Sequence, residues 1–159
     1  MKRIYGLFTQ YKDADSTIIE LGNLGYKNDD VDVLAKDSIL KENTVSATEG
    51  GAATGALVGG LAGLFVGIPS VAVPVLGPVV AIGTILGSTA VGAGLGAGTG
   101  ALVGAFIDLG MPEPIAQTYV SGIEEGGILV VVNAKDEDEK KVKSIMSDNN
   151  VTNLAVYAL

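Results

Sequence analysis

A central stretch without charged side chains, in which glycine recurs at a fixed interval, most constrains what this chain can fold into. No Asp, Glu, Lys or Arg lies between Glu49 and Asp108. Two series of glycines in this stretch are spaced by four residues, so each series lies on one face of a helix. The series are Gly51, Gly55, Gly59, Gly63 and Gly67, and Gly92, Gly96, Gly100 and Gly104. A helix face without side chains lets a second backbone approach closely, as small residues do in membrane helices.

We call residues 49–109 the apolar block, and its pattern predicts two helices joined by a turn. Residues 50–68 predict a first helix about 30 Å long, which is close to the thickness of a bilayer core. Residues 69–78 predict a turn, because proline interrupts a helix, and residues 79–107 predict the second helix. The turn positions are Pro69, Pro74, Gly77 and Pro78, and Gly83 and Gly87 join the two series as predicted helix-packing positions. Both ends of such a hairpin emerge on the same side, so the flanking sequence can form one domain.

The sequence on either side of the apolar block predicts an α+β domain. Before the block, residues 2–9 and 31–36 predict two strands around a helix. After it, the pattern predicts helix, strand, helix and strand, and the continuous apolar run over 127–134 predicts a central strand covered on both faces. Four strands with helices on one face are typical of a ferredoxin-like sandwich. We therefore predict a ferredoxin-like domain in two halves, residues 1–48 and 110–159, with the hairpin inserted between them.

The composition disfavours several classes of function. A net charge of −8 and a pI near 4.3 are unfavourable for nucleic-acid binding, which needs clustered Lys and Arg. The chain has no His and no Cys, so the commonest general base, the thiolate nucleophile and the usual zinc ligands are missing. We expect no enzyme activity, no cofactor, no metal and no nucleic-acid partner.

Three further patterns have plain structural explanations. Residues 92–97 match the G-x-G-x-x-G/A fingerprint, but no predicted strand precedes them, as a dinucleotide site requires. The acidic run over 136–139 is expected to cap and charge the start of a helix rather than bind a cation. Asp29, Asp30 and Asp32 lack the spacing and the glycine of a calcium loop.

A run of residues after the apolar block resembles a known family. The run is Leu109-Gly110-Met111-Pro112-Glu113, then Ala116 and Tyr119, then Gly126-Gly127-Ile128-Leu129-Val130-Val131-Val132. This order resembles that of bacterial general-stress and low-temperature-induced proteins, best over residues 49–134. The first strand and helix also look similar to a domain of heat-induced stress proteins. The resemblance implies stress-linked expression and membrane association, and it carries over no catalytic residue.

We therefore expect a non-enzymatic, stress-associated protein that self-assembles through its glycine faces and binds or shapes a lipid bilayer. Glycine costs about 0.8–1 kcal/mol per residue in a helix interior relative to alanine. Close packing against other copies of the chain must offset that cost, so a homo-oligomer is expected. The expected location is the inner (cytoplasmic) membrane, with the α+β domain facing the cytoplasm.

Three alternatives stay open. The first is a lipid-free cytoplasmic assembly or filament, because the apolar block has no aromatic belt and no basic flank. The second is a pore, if the hydroxyl groups of the block line a channel rather than bond to backbone carbonyls. The third is a ligand-sensing regulatory module, which rests on analogy with other ferredoxin-like domains.

Overall fold

The computed structural model describes residues 1–27, 29–36, 38–39, 42, 75–76, 79–83 and 99–158. The predicted first helix, residues 50–68, lies outside the described residues. So do most of the predicted packing and turn positions, which are Gly51, Gly55, Gly59, Gly63, Gly67, Gly87, Gly92, Gly96, Pro69, Pro74, Gly77 and Pro78. Of the predicted helix-packing glycines, the described residues include Gly83, Gly100 and Gly104.

The described part of the chain is an α+β fold, as predicted. Its elements in chain order are β1 (Lys2–Phe8), α1 (Tyr11–Asn23), β2 (Val31–Lys36), β3 (Val75–Leu76), β4 (Val79–Ile82), α2 (Thr99–Asp108), α3 (Glu113–Glu124), β5 (Ile128–Ala134), α4 (Glu139–Asp148) and β6 (Asn153–Ala158). The strands and helices predicted outside the apolar block are all present.

The six described strands form one antiparallel sheet in the order β3-β4-β2-β5-β1-β6. β5 therefore lies between β1 and β2, although the whole apolar block separates it from them in sequence. Ile4 lies opposite Val132 of β5 and opposite Val156 of β6. Because side chains alternate between the two faces of a sheet, this register fixes which residues share a face.

One face of the sheet is covered by α1 and α4. Ile4, Phe8 and Val130 of the sheet pack there in one cluster with Ile18 of α1 and Val142 of α4. All five side chains are buried. Burial of an aliphatic or aromatic side chain of this size contributes about 1.5–3 kcal/mol, so this layer is a substantial part of the core.

The opposite face is covered by α2 and α3. Tyr5 lies there in an edge-to-face contact with Phe106 of α2, with ring centroids 6.4 Å apart, and Tyr119 of α3 belongs to the same cluster. The prediction of helices on one face only is therefore wrong. The prediction of a strand covered on both faces is confirmed, because Ile128–Val132 are 0 % exposed. A strand that is apolar on both faces needs a second covering layer, and α2 and α3 supply it.

The predicted second helix, residues 79–107, is wrong at its start. Residues 79–82 form β4, which pairs with β2 from Val33 opposite Ile82 to Lys36 opposite Val79. Within the predicted turn, residues 75–76 form β3, which pairs with β4. Val and Ile favour strands, and β4 satisfies backbone groups of β2 that would otherwise lie at a sheet edge. Among the described residues of the predicted helix, only 99–107 are helical.

The two covered faces generate the first prediction, which concerns neighbouring residues of β5. Val130→Thr and Val131→Thr each bury a hydroxyl in nearly unchanged shape, one on each face of the sheet. We expect each to lower the free energy of unfolding by about 1–3 kcal/mol, as measured by urea denaturation. A Val131→Thr variant as stable as the unsubstituted protein would contradict a second helical layer.

Candidate functional site

The outward face of α2 is one candidate site, because it continues the second glycine series of the sequence. Leu102, Ala105 and Phe106 of this helix are buried against the sheet. Gly104 and Ile107 share the other face, since residues three or four positions apart are neighbours on a helix, and Ile107 is 42 % exposed. Gly100 completes this face, and we call Gly100, Gly104 and Ile107 the α2 stripe, whereas Val103 is partly buried against the core cluster under α2.

The two glycines of the α2 stripe have open space around them. A Cβ atom built on Gly100 or on Gly104 would meet no described atom within 4 Å. The packing of α2 on the sheet therefore does not require glycine at either position. Among the described residues, no helix has the length and apolar character needed to cross a membrane.

Gly83 differs from the predicted helix-packing glycines. It follows β4 and does not lie in a helix, so its predicted helical position is wrong. Its φ of +127° lies in the left-handed region, and a Cβ atom there would overlap the Asp32 carboxylate and lie 2.8 Å from Asp32 Cα. Glycine is required here because the backbone packs directly on a buried aspartate.

The residues that carry the family resemblance have structural roles in docking α3. Gly110, with a φ of +88°, turns the chain after α2, and Met111 beside it is 2 % exposed. Tyr119 Oη donates a hydrogen bond to the Tyr5 carbonyl at 3.3 Å. The Gly127 amide donates to the Gly122 carbonyl at 2.8 Å. These contacts explain the motif through packing of α3 on the sheet rather than through chemistry at a site.

A second candidate site is a group of polar side chains on the sheet face that α2 and α3 cover. Arg3 lies opposite Asn133 on one neighbouring strand and opposite Tyr157 on the other. Tyr5 and Asp32 lie one pleat further along, since both are opposite Val131. We call Arg3, Tyr5, Asp32, Asn133 and Tyr157 the polar cluster. Sequence analysis missed it because its members come from four strands, and only the sheet order brings them together.

The polar cluster combines a partly exposed row with a buried row. Arg3, Asn133 and Tyr157 are partly exposed, and Arg3 Nε donates to Asn133 Oδ1 at 3.1 Å. Tyr5 and Asp32 are both 0 % exposed. The Tyr5 hydroxyl has no closely aligned hydrogen-bond partner among the described residues, although the Arg3 guanidinium lies near enough to interact with its oxygen. Burial raises the pKa of Tyr5, and the Arg3 guanidinium close to the hydroxyl opposes that rise.

The acidic run at the start of α4 pairs with nearby cations. Lys2 Nζ lies 2.6 Å from Glu139 Oε2, which raises the pKa of Lys2 and lowers that of Glu139. Asp136 pairs with the N-terminal ammonium at 3.1 Å, and Lys141 pairs with Asp138 at 2.9 Å. Asp138 occupies the N-cap position without a side-chain capping bond, so the run charges the helix start but does not cap it as predicted.

The acidic residues near β2 have different surroundings. Asp30 Oδ2 accepts a hydrogen bond from the Lys27 amide at 3.1 Å, whereas Asp32 is buried in the polar cluster. Within the part of the chain that the structure describes, no three His, Cys, Asp or Glu residues are arranged to hold a metal ion.

The close approach of Gly83 to Asp32 generates the second prediction. Gly83→Ala adds a methyl group that overlaps the aspartate, whereas Gly25→Ala meets no described atom at a φ of +100°. Both variants strain the backbone, by about 1–3 kcal/mol, and only Gly83→Ala also displaces Asp32. We expect Gly83→Ala to lower the thermal midpoint clearly further than Gly25→Ala. Equal losses in the two variants would contradict the contact between Gly83 and Asp32.

The buried tyrosines generate a prediction for alkaline pH. Burial, and then the nearby Tyr157 and Tyr5, raise the pKa of Tyr119 above the ordinary value of 10.0. Since the folded-state pKa is the higher one, this stabilisation is complete below pH 10.0 and is lost as the pH rises through the folded-state pKa. We expect the free energy of unfolding to fall as the pH rises above 10.0, and to fall less steeply in Tyr119→Phe. Denaturant titrations at neutral and alkaline pH measure both slopes, and identical slopes would contradict the burial of this hydroxyl.

Comparison of the chain with protein-family models, with curated proteins and with solved structures found no match.

Proposed function

We propose that this protein is a non-enzymatic assembly protein, in which a ferredoxin-like domain carries an apolar block through which identical copies pack. The α2 stripe is the observation that carries the proposal. It is the described end of the second glycine series, and it faces away from the sheet. A Cβ atom added at Gly100 or Gly104 would meet no described atom within 4 Å, so the fold does not require glycine at either position. Close packing against another molecule explains the two glycines better.

The ferredoxin-like assignment is supported by the strand order and the connections. β1-α1-β2 and β5-α4-β6 are two similar units, and their strands lie in the order β2-β5-β1-β6. α1 and α4 cover the same face. The remaining described elements, β3, β4, α2 and α3, all come between β2 and β5 in the chain, which is consistent with an insertion between two halves of one domain.

The energetics of glycine support close packing at the α2 stripe. A glycine in a helix interior costs about 0.8–1 kcal/mol relative to alanine, and this applies to Gly104, whereas Gly100 is the second residue of the described α2. Glycine at such a position lets a second backbone lie where a Cβ atom would otherwise be, as in packing of small residues between helices. The α2 stripe carries no charge in a chain of net charge −8, so two copies meet there without repulsion between stripe residues.

The position of β3 and β4 favours assembly between proteins over a hairpin that spans a bilayer. Residues 37–74 connect β2 to β3, and both strands belong to one sheet. A segment that leaves and returns to the same side must cross a bilayer an even number of times, and two crossings need about 40 apolar residues. The charge-free part of this connection, residues 50–74, is clearly shorter than that. We therefore propose a second copy of the chain as the first partner, and a lipid surface as the alternative partner.

The resemblance to general-stress and low-temperature-induced proteins supports a stress-linked role for the assembly. The lack of His and Cys supports a role without catalysis, because the usual nucleophile and base pairs cannot be built. The pore remains an alternative that no described contact favours.

The α2 stripe generates the fourth prediction, on assembly. Gly100→Leu and Gly104→Leu fill the stripe with side chains, and leucine favours a helix more than glycine does. We expect either variant to sediment closer to the 16.1 kDa of a single chain than the unsubstituted protein does. Gly22→Leu is the matched control, because Gly22 is also a helical glycine with no atom within 4 Å of its Cβ position. Unchanged particle size in both stripe variants would contradict the proposal.

Flotation with liposomes distinguishes a second copy of the chain from a lipid surface as the partner of the apolar block. Assembly between proteins predicts large particles that stay at the bottom of a density gradient with or without liposomes. A bilayer element predicts that the protein rises with the lipid and resists a carbonate wash. In the second case the partner is lipid, and the β3–β4 argument against a spanning hairpin fails.

A further inference from the structure

We infer that the outer edge of β6 pairs in antiparallel fashion with β6 of a second copy of the chain, so that the sheet continues from one copy into the next. This inference goes beyond the proposed assembly, because it uses neither the α2 stripe nor the apolar block. It starts from a strand that ends the sheet without the features that usually protect an edge.

β6 is the last strand at one end of the sheet. It pairs with β1 from Leu7 opposite Asn153 to Lys2 opposite Ala158, and among the described residues no strand pairs with its other side. In an edge strand, every second residue directs its backbone N–H and C=O groups away from the sheet. These groups form a row of donors and acceptors that a further strand can satisfy.

β6 lacks the devices by which natural edge strands avoid pairing. Such edges are very short, carry charged residues or proline, or contain a bulge. β6 has the sequence NLAVYA, with no charge and no proline, and its register with β1 is unbroken. At the opposite end of the sheet, the described β3 has only two residues. One end of the sheet is therefore blunted and the other is open, which indicates a partner strand for β6.

Both layers of the core end at β6 with apolar side chains that remain partly exposed. Leu154 and Val156 pack against the cluster under α1 and α4, whereas Ala155 and Tyr157 pack against the cluster under α2 and α3. The apolar side chains of β5, which has a strand on each side, are buried on both faces. A strand added at the edge of β6 would extend both layers at once and cover all four side chains.

The side chains of β6 fit a second copy of β6. A two-fold axis perpendicular to the sheet, passing beside Val156, keeps each face continuous and places this residue opposite itself. Ala155 then lies opposite Tyr157 of the other copy, and Leu154 lies opposite Ala158, so a large side chain meets a small one on each face. The chain has a net charge of −8 but β6 has none, so two copies meet at this edge without direct repulsion.

Quenched hydrogen exchange tests the pairing without any substitution. In a free edge strand the outward amides exchange quickly, so protection alternates from residue to residue along β6. We expect protection at consecutive residues in the assembled protein, and a return to alternation on dilution to the single chain. Alternation at every concentration would overturn the inference. So would continuous protection in a particle with the mass of one chain, because the edge would then be covered within that chain.

Substitutions at Val156 test the symmetry of the pairing, because this residue lies opposite its own copy. Val156→Lys and Val156→Glu each place like charges together and should separate the two copies, whereas an equimolar mixture should pair again through opposite charges. Sedimentation measures each outcome. Ile19→Lys is the matched control, because Ile19 is an apolar residue of α1 that is 42 % exposed and lies away from the edge. It should leave the particle size unchanged.

The edge of β6 and the α2 stripe can be tested separately. Gly104→Leu alone should leave pairs of chains joined at β6, and adding Val156→Lys should give single chains of 16.1 kDa. If Gly104→Leu leaves the particle size unchanged, the role of the α2 stripe is contradicted, while the mixture of Val156 variants still tests the edge. A mixture that pairs no more strongly than either variant alone, with each variant shown to be folded by circular dichroism, would overturn the inference.

Discussion

The burial of β5 on both faces is the constraint on which the rest of this structure depends. A strand in which Ile128–Val132 have no exposed surface needs a strand on each side and a helical layer above and below. β1 and β2 supply the strands, α1 and α4 one layer, and α2 and α3 the other. The end of the apolar block is thereby part of the core of the domain, because Phe106 of α2 packs on Tyr5.

Much of this arrangement follows from patterns in the sequence, and the failures share one cause. The flanking strands and helices have clear periodicity, so their order was predictable, and the unbroken apolar run of β5 predicted its two covered faces. A strand covered on both faces needs a helical layer on each face, so the apolar run of β5 already disagreed with a sandwich that has helices on one face only. Residues 79–82 were predicted as helix because uncharged sequence rich in Gly and Val does not distinguish helix from strand by periodicity alone. Their strand conformation depends on the free edge of β2, which is tertiary information.

The glycines illustrate the same limit. A four-residue interval in the sequence groups Gly100 and Gly104 correctly on one helix face. Gly83 looks alike in sequence but lies after a strand, against the Asp32 carboxylate. Gly122 of α3, outside both series, lies so close to Leu7 that a Cβ atom would overlap it. The polar cluster was missed for a related reason: its residues are isolated in the sequence, and only the pairing of β1 with β5 and β6 makes them neighbours.

The position of β5 between β1 and β2 has a consequence for synthesis of the chain. β1 and β2 leave the ribosome early, but neither has its central partner until residues 128–134 have been made. The whole apolar block emerges during that interval, before the sheet that anchors its ends can close. Pairing over such long sequence separations is slow, and apolar surface exposed during the delay is prone to aggregation. The nascent chain therefore exposes its apolar block for longer than a chain whose central strand pairs with a neighbour in sequence.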